Sequence, residues 1–166
     1  MSSEQPEFIQ PPDTLKDKVD VTAGGVDLDA LEKAEALIAG LQGDYLSWVE
    51  GDLEKLQEFY KAAEAAEPAD RREKLRDVFS VAHDVKGQGG SFNYHLMTTI
   101  GNQLCRFIEK LPEQVSRGQM EVVKVHIDAL RLVIAQRLEG DGGRAGSNLV
   151  RGLDAVINKV KPAEEG

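Results

Sequence analysis

The stretch DYLSWVEGDLEKLQEFYKAAEAA, residues 44–66, decides the fold. Its apolar positions Leu46, Val49, Leu53, Leu56, Tyr60 and Ala63 alternate between spacings of three and four, which draws a stripe down one face of an α-helix and makes it the seam of a helical bundle. On the N-terminal side, Leu31, Ala34, Ile38 and Leu41 share one face of a helix expected from about Asp27 to Leu41, with Gly43 as its stop signal. On the C-terminal side, Pro68 opens a third helix with the stripe Leu75, Val78, Ala82 and Val85. A fourth follows Asn93, carries Met97, Ile100, Leu104, Phe107 and Leu111, and stops at Pro112. A fifth carries Met120, Val123, Ile127, Leu130 and Ile134. The run 140–146, rich in glycine, reads as a linker, after which Ser147 is placed to cap a last helix over 147–160 with Leu149, Leu153, Val156 and Val160 inward.

No segment shows the apolar alternation of a strand, so the fold class is all-α. Long helices joined by short connections pack most simply as an antiparallel up-down four-helix bundle. The expected organisation is a bundle over about 44–139, flanked by an N-terminal and a C-terminal helix, within a helical domain of 28–166.

Composition narrows the function. The 166 residues suit one domain with a real core, and 41% hydrophobic with 30% charged residues is the balance of a soluble globular protein. Net charge is -9, of which residues 1–27 supply -4 through Glu4, Glu7, Asp13, Asp17, Asp20 and Asp27 against Lys16 and Lys18. With Pro6, Pro11, Pro12 and few apolar anchors, that segment reads as a flexible acidic tail. An acidic chain is a poor partner for nucleic acid. No run approaches the roughly 18 apolar residues of a membrane span, and the N-terminus lacks a basic region before an apolar core. The single Cys105 forms no internal disulfide, which fits a reducing compartment. A cytoplasmic location without membrane contact is expected.

The chemistry concentrates in Ala82-His83-Asp84-Val85-Lys86-Gly87-Gln88-Gly89-Gly90-Ser91. Each glycine inside a helix costs about 1 kcal/mol relative to alanine, so three within four residues call for a reason: the helix ends, or something comes close. His83 lies about 100° from Ala82 of the core stripe. Phe79, Ser80, Lys86 and Gly87 stand at spacings of three and four from it, with Arg76 and Gly90 further along. An accessible imidazole is partly neutral at cellular pH and nucleophilic. Lys86 is placed to offset the roughly two negative charges of a phosphoryl group. The glycines leave room for the close alignment that phosphoryl transfer demands.

These residues, Ala82 to Gly87 followed by Gly90-Ser91, resemble the signature of histidine-containing phosphotransfer domains, in which a mid-helix histidine on a four-helix bundle is followed by Lys-Gly and further small residues. The match runs through Gly90 and departs at Asn93, where the last glycine of the pattern would fall; asparagine tolerates left-handed backbone better than other side chains. The resemblance implies a phosphorelay carrier that accepts a phosphoryl group on His83 from a receiver-domain aspartate and passes it to another receiver. It implies response-regulator receivers and a hybrid histidine kinase as partners, with Mg²⁺ held by the receiver and no cofactor of the chain's own. Lys86 would support the phosphoryl group, and Arg76, Phe79, Ser80, Gly87 and Gly90 would form the docking face. Some members of the family place a glutamine on the next helix against the other ring nitrogen. An ungapped count puts Cys105 there with Gln103 nearby, so the orienting residue stays open between them. The chain ends one short helix after the bundle, so neither ATP binding, autophosphorylation nor other enzyme activity is expected, and such a carrier is expected to be a monomer.

Plainer readings stand beside these. A lone histidine on a bundle helix is a structural residue, and only the Lys-Gly-x-x-Gly continuation sets His83 apart. Phe79 also fits the core, Arg76 an ordinary surface charge, and Gly89 with Gly90 a helix C-cap. His95, His126 and Cys105 lack metal-ligand spacing. The run 140–146 lacks the strand and the Lys-Ser/Thr of a nucleotide-binding loop. Two other functions remain: the histidine-bearing dimerisation fragment of a sensor kinase, which resembles a two-helix hairpin with a proline after the histidine, and a helical adaptor that binds receivers without being phosphorylated.

Overall fold

A computed structural model describes residues 27–160 of the chain. The acidic tail expected over 1–27 lies, apart from Asp27, outside the described residues. Among those residues the protein is all-helical: α1 Leu28–Ala65, α2 Pro68–Gly89, α3 His95–Glu109, α4 Arg117–Ala135 and α5 Gly143–Val160, with a short 3-10 turn over Gly90–Phe92. They divide into two compact units with the boundary after Gly43.

The first unit is the N-terminal part of α1. Asp27 caps it, its carboxylate accepting from the backbone N–H of Asp29 at 3.0 Å. The stop expected at Gly43 does not occur, because α1 continues without a break to Ala65. Gly43 carries no positive φ and no proline follows it. An isolated glycine weakens a helix by about 1 kcal/mol without ending it.

In the second unit the stripe of residues 44–66 is inward as expected: Val49, Leu53, Leu56, Tyr60 and Ala63 are buried together with Tyr45, while Leu46 is packed at the edge. Pro68 occupies the first turn of α2, where its missing N–H costs nothing. Two bonds fix this end of α2 to the connection after α3: Val115 N–H donates to Pro68 C=O at 3.1 Å, and Arg71 Nη1 donates to Val115 C=O at 2.9 Å. At the other end, Gly89 lies against Met97 and Lys86 against Gly101. The pairing advances along α3 as it retreats along α2, so these two helices are antiparallel.

α4 opens with a complete capping box, Ser116 Oγ accepting from Gln119 N–H and Gln119 Oε1 accepting from Ser116 N–H. Its buried face holds Met120, Val123, Ile127, Leu130 and Ile134, as the spacing requires. Shallow grooves beside it are lined by Glu50, Leu53 and Glu54 of α1 with Asp128, Arg131 and Leu132, and by Gln57, Tyr60 and Lys61 with Lys124 and Ile127. This part of α1 is therefore a neighbour of α4, again with opposed numbering.

The run 140–146 is not a linker throughout. α5 starts at Gly143, four residues before the expected Ser147, and Asp141 Oδ1 accepts from Gly143 N–H at 2.8 Å. Gly142 and Gly143 take φ of 71° and 61°, and a β-carbon on Gly146 would run into the Asp141 carbonyl. The glycines thus build a tight turn and a close first helical turn. Of the expected inward residues of α5, Leu153 is buried and Leu149 packs against the core.

Candidate functional site

His83 stands two turns before the end of α2. Ala82 and Val85 on either side of it in sequence are fully buried, while His83 and Asp84 are exposed. Packing of Ala82 and Val85 fixes the rotation of the helix and sends the imidazole to its outer face. Arg76, Ser80 and Gly87 are exposed on that face, and Phe79 is half-buried with its ring 6.2 Å from the imidazole at 31°. Phe79 thus packs on the core while its ring flanks that of His83.

Lys86 is half-buried and turned toward α3. A β-carbon on Gly101 would lie 3.0 Å from Lys86 Cβ and 3.2 Å from Lys86 Cα, so the two backbones meet where α3 has no side chain. One turn earlier on α3, Thr98 Oγ1 donates to Lys86 C=O at 2.9 Å. Burial pushes the Cys105 thiol up, the Lys86 charge partly opposes this, and Glu109 adds to it. Cys105 is therefore a buried, protonated thiol within the field of Lys86.

The glycines have different reasons. A β-carbon on Gly89 would come within 2.7 Å of Tyr94 C=O and 2.9 Å of both Met97 Cβ and Thr98 Oγ1, so close helix contact demands glycine there. At Gly90 the nearest atoms are 3.8 and 3.9 Å away, an ordinary distance, and at Gly87 no atom lies within 4 Å. Nothing within the described residues asks for glycine at 87. Gly89 and Gly90 do end α2, but Gly90 is right-handed with φ of -63°. The left-handed residue is Asn93, with φ of 65° and ψ of 28°, a conformation that asparagine tolerates better than other side chains.

Gln103 and Cys105 are not brought to the ring. Gln103 Nε2 donates to Asp154 Oδ1 at 2.8 Å, which ties α3 to α5, and Cys105 is enclosed in the core. His95 is exposed at the start of α3. His126 is fully buried in α4, its Nδ1–H donating to Val122 C=O at 2.7 Å. Among the described residues no group of three or more His, Cys, Asp or Glu side chains is arranged to hold a metal ion, and no helix is long and apolar enough to cross a membrane.

Two residues that position the site, Thr98 and Gly101, were missed from the sequence. A glycine in the middle of the strongly amphipathic stripe of α3 was the available signal, since such a glycine marks a close backbone approach.

Compared with protein-family models, curated proteins and solved structures, the chain finds no match in any of the three.

Proposed function

We propose that the protein is a phosphorelay carrier with His83 as its phosphoryl acceptor. In this reading residues 44–65 of α1 with α2, α3 and α4 form an antiparallel up-down four-helix bundle, and α5 is the flanking helix. The observation that carries it is the exposed imidazole of His83 on the outer face of α2, with Lys86 one turn along and Gly87 leaving open space beside it. Room at that point is useful to an approaching partner.

In the transfer, the unprotonated ring nitrogen of His83 attacks the phosphorus of a receiver's aspartyl phosphate. The N–P bond forms as the P–O bond breaks, and the aspartate leaves as a carboxylate with the bonding electron pair. The other ring nitrogen keeps its proton. Lys86, held by Gly101 and Thr98, places a positive charge one turn along the helix and lowers the cost of the added negative charge. The reverse sequence passes the group to a second receiver. Mg²⁺ belongs to the receiver's acidic pocket, so the carrier itself needs no metal. Arg76, Phe79, Ser80, Gly87 and Gly90 form the docking face. Among the described residues four further helices accompany α2, which favours this reading over the two-helix hairpin of a kinase fragment.

The test is transfer of labelled phosphoryl groups from a panel of receiver domains to the wild type and to His83→Gln. Acid-labile, alkali-stable label on the wild type alone is expected. No label from any receiver, with helical content intact, would overturn the reading.

A further inference from the structure

Every residue from Leu28 to Leu41 of α1 is exposed, including Leu28 at 75%, Leu31 at 45%, Ile38 at 56% and Leu41 at 47%. The face read from the sequence as the inner side of a flanking helix is thus open to solvent. A helix of this length draws little stability from its own hydrogen bonds in water and relies on burial of an apolar stripe. We infer that this face is the interface with a second copy of the chain, paired antiparallel.

Three observations select that occupant. The seam Leu31, Ala34, Ile38, Leu41 has spacings of three, four and three, which read the same in both directions. An antiparallel copy therefore sets Leu31 on Leu41 of its partner and Ala34 on the partner's Ile38, so that the smallest seam residue meets a large one and the contact is self-complementary. The charges also sort by direction. Asp29, Glu32, Lys33 and Glu35 all lie in the first half, and none lies between Ala36 and Gly43. Parallel pairing would bring two acidic halves together, whereas antiparallel pairing lays each on an uncharged half. Lastly, Ala34 is a small residue within the seam itself and lets two helices approach closely at its level.

The dimer replaces the monomer expected of a lone carrier. It does not depend on the phosphoryl reading, since the seam includes no residue of the His83 face.

The experiment is sedimentation of the full chain from about 2 to about 200 µM, the range suited to a small interface. A concentration-dependent shift from the 18.2 kDa chain mass to twice that value is expected. In Leu31→Glu/Ile38→Glu the association should weaken at least about 10-fold, with helical content and label acceptance on His83 retained. Direction is read by oxidation: Leu31→Cys mixed with Leu41→Cys should give a crossed disulfide. Leu31→Cys alone should give none, because antiparallel pairing holds the two copies of position 31 about 15 Å apart and a disulfide needs Cα atoms within about 7 Å. A monomer at every concentration, whether the face stays bare or residues 1–26 or another protein cover it, would overturn the inference. So would a dimer indifferent to the double substitution, or disulfides between two copies of position 31.

Discussion

Gly101 and Lys86 meet backbone to backbone, with a β-carbon at 101 reaching 3.0 Å from Lys86 Cβ and 3.3 Å from its amide nitrogen. The absence of a side chain on α3 lets the histidine helix, with its proposed charge-bearing lysine, pack closely against α3, and the Thr98 bond to the lysine carbonyl holds it there. Alanine at 101 would gain about 1 kcal/mol of helix propensity. It would lose about 1–3 kcal/mol to overpacking, because two of the three closest atoms are backbone and cannot rotate away. Gly101→Ala should therefore lower the urea midpoint and slow phosphoryl acceptance together. A midpoint at or above wild type would show that the two helices part without cost.

Gly87 and Gly89, two residues apart, should respond to alanine with opposite signs. Gly87→Ala meets no atom within 4 Å and recovers about 0.5–1 kcal/mol of helix stability. It also adds a methyl group to the face a receiver would approach, so transfer should slow while the midpoint rises. Gly89→Ala places a β-carbon 2.7 Å from Tyr94 C=O and should cost about 1–3 kcal/mol. Unfolding and single-turnover transfer measured on both variants separate the two roles, and faster or unchanged transfer in Gly87→Ala would remove the docking argument from that glycine.

The buried stripes were readable because period and burial are the same information: Val78, Ala82 and Val85 must lie on one side of α2 whatever packs on them. The placement of His83 off the buried stripe followed from that phase alone, although the face it lies on proved more exposed than the half-exposed edge the phase implied. What escaped the sequence depended on space rather than period. Gly43 looked like a stop and Gly146 like a linker because a glycine carries no label for its use. At 43 it merely sits in α1, whereas at 146 it is required by the Asp141 carbonyl. Gln103 looked like a candidate for the His83 ring until Asp154, 51 residues later, proved to be its partner. Pairings over such distances leave no local pattern.

His126 gives the fold a pH dependence that belongs to the core rather than to the site. Its ring is fully buried, and Nδ1–H is bonded to Val122 while Nε2 has no partner among the described residues. Burial lowers its pKa below the ordinary 6.5, outweighing the Val122 bond and the Asp154 charge, which both favour the cation. The unfolded chain thus binds a proton near pH 6.5 that the folded chain refuses, so stability present at neutral pH is lost as pH falls below about 6.5. The slope from this one group is at most about 1.4 kcal/mol per pH unit. His126→Leu removes the titrating ring. Its urea unfolding free energy should be flatter than wild type between about pH 6.5 and 5, whatever the two proteins' absolute stabilities. Equal slopes in the two proteins would mean that the buried ring accepts its proton without opening the core.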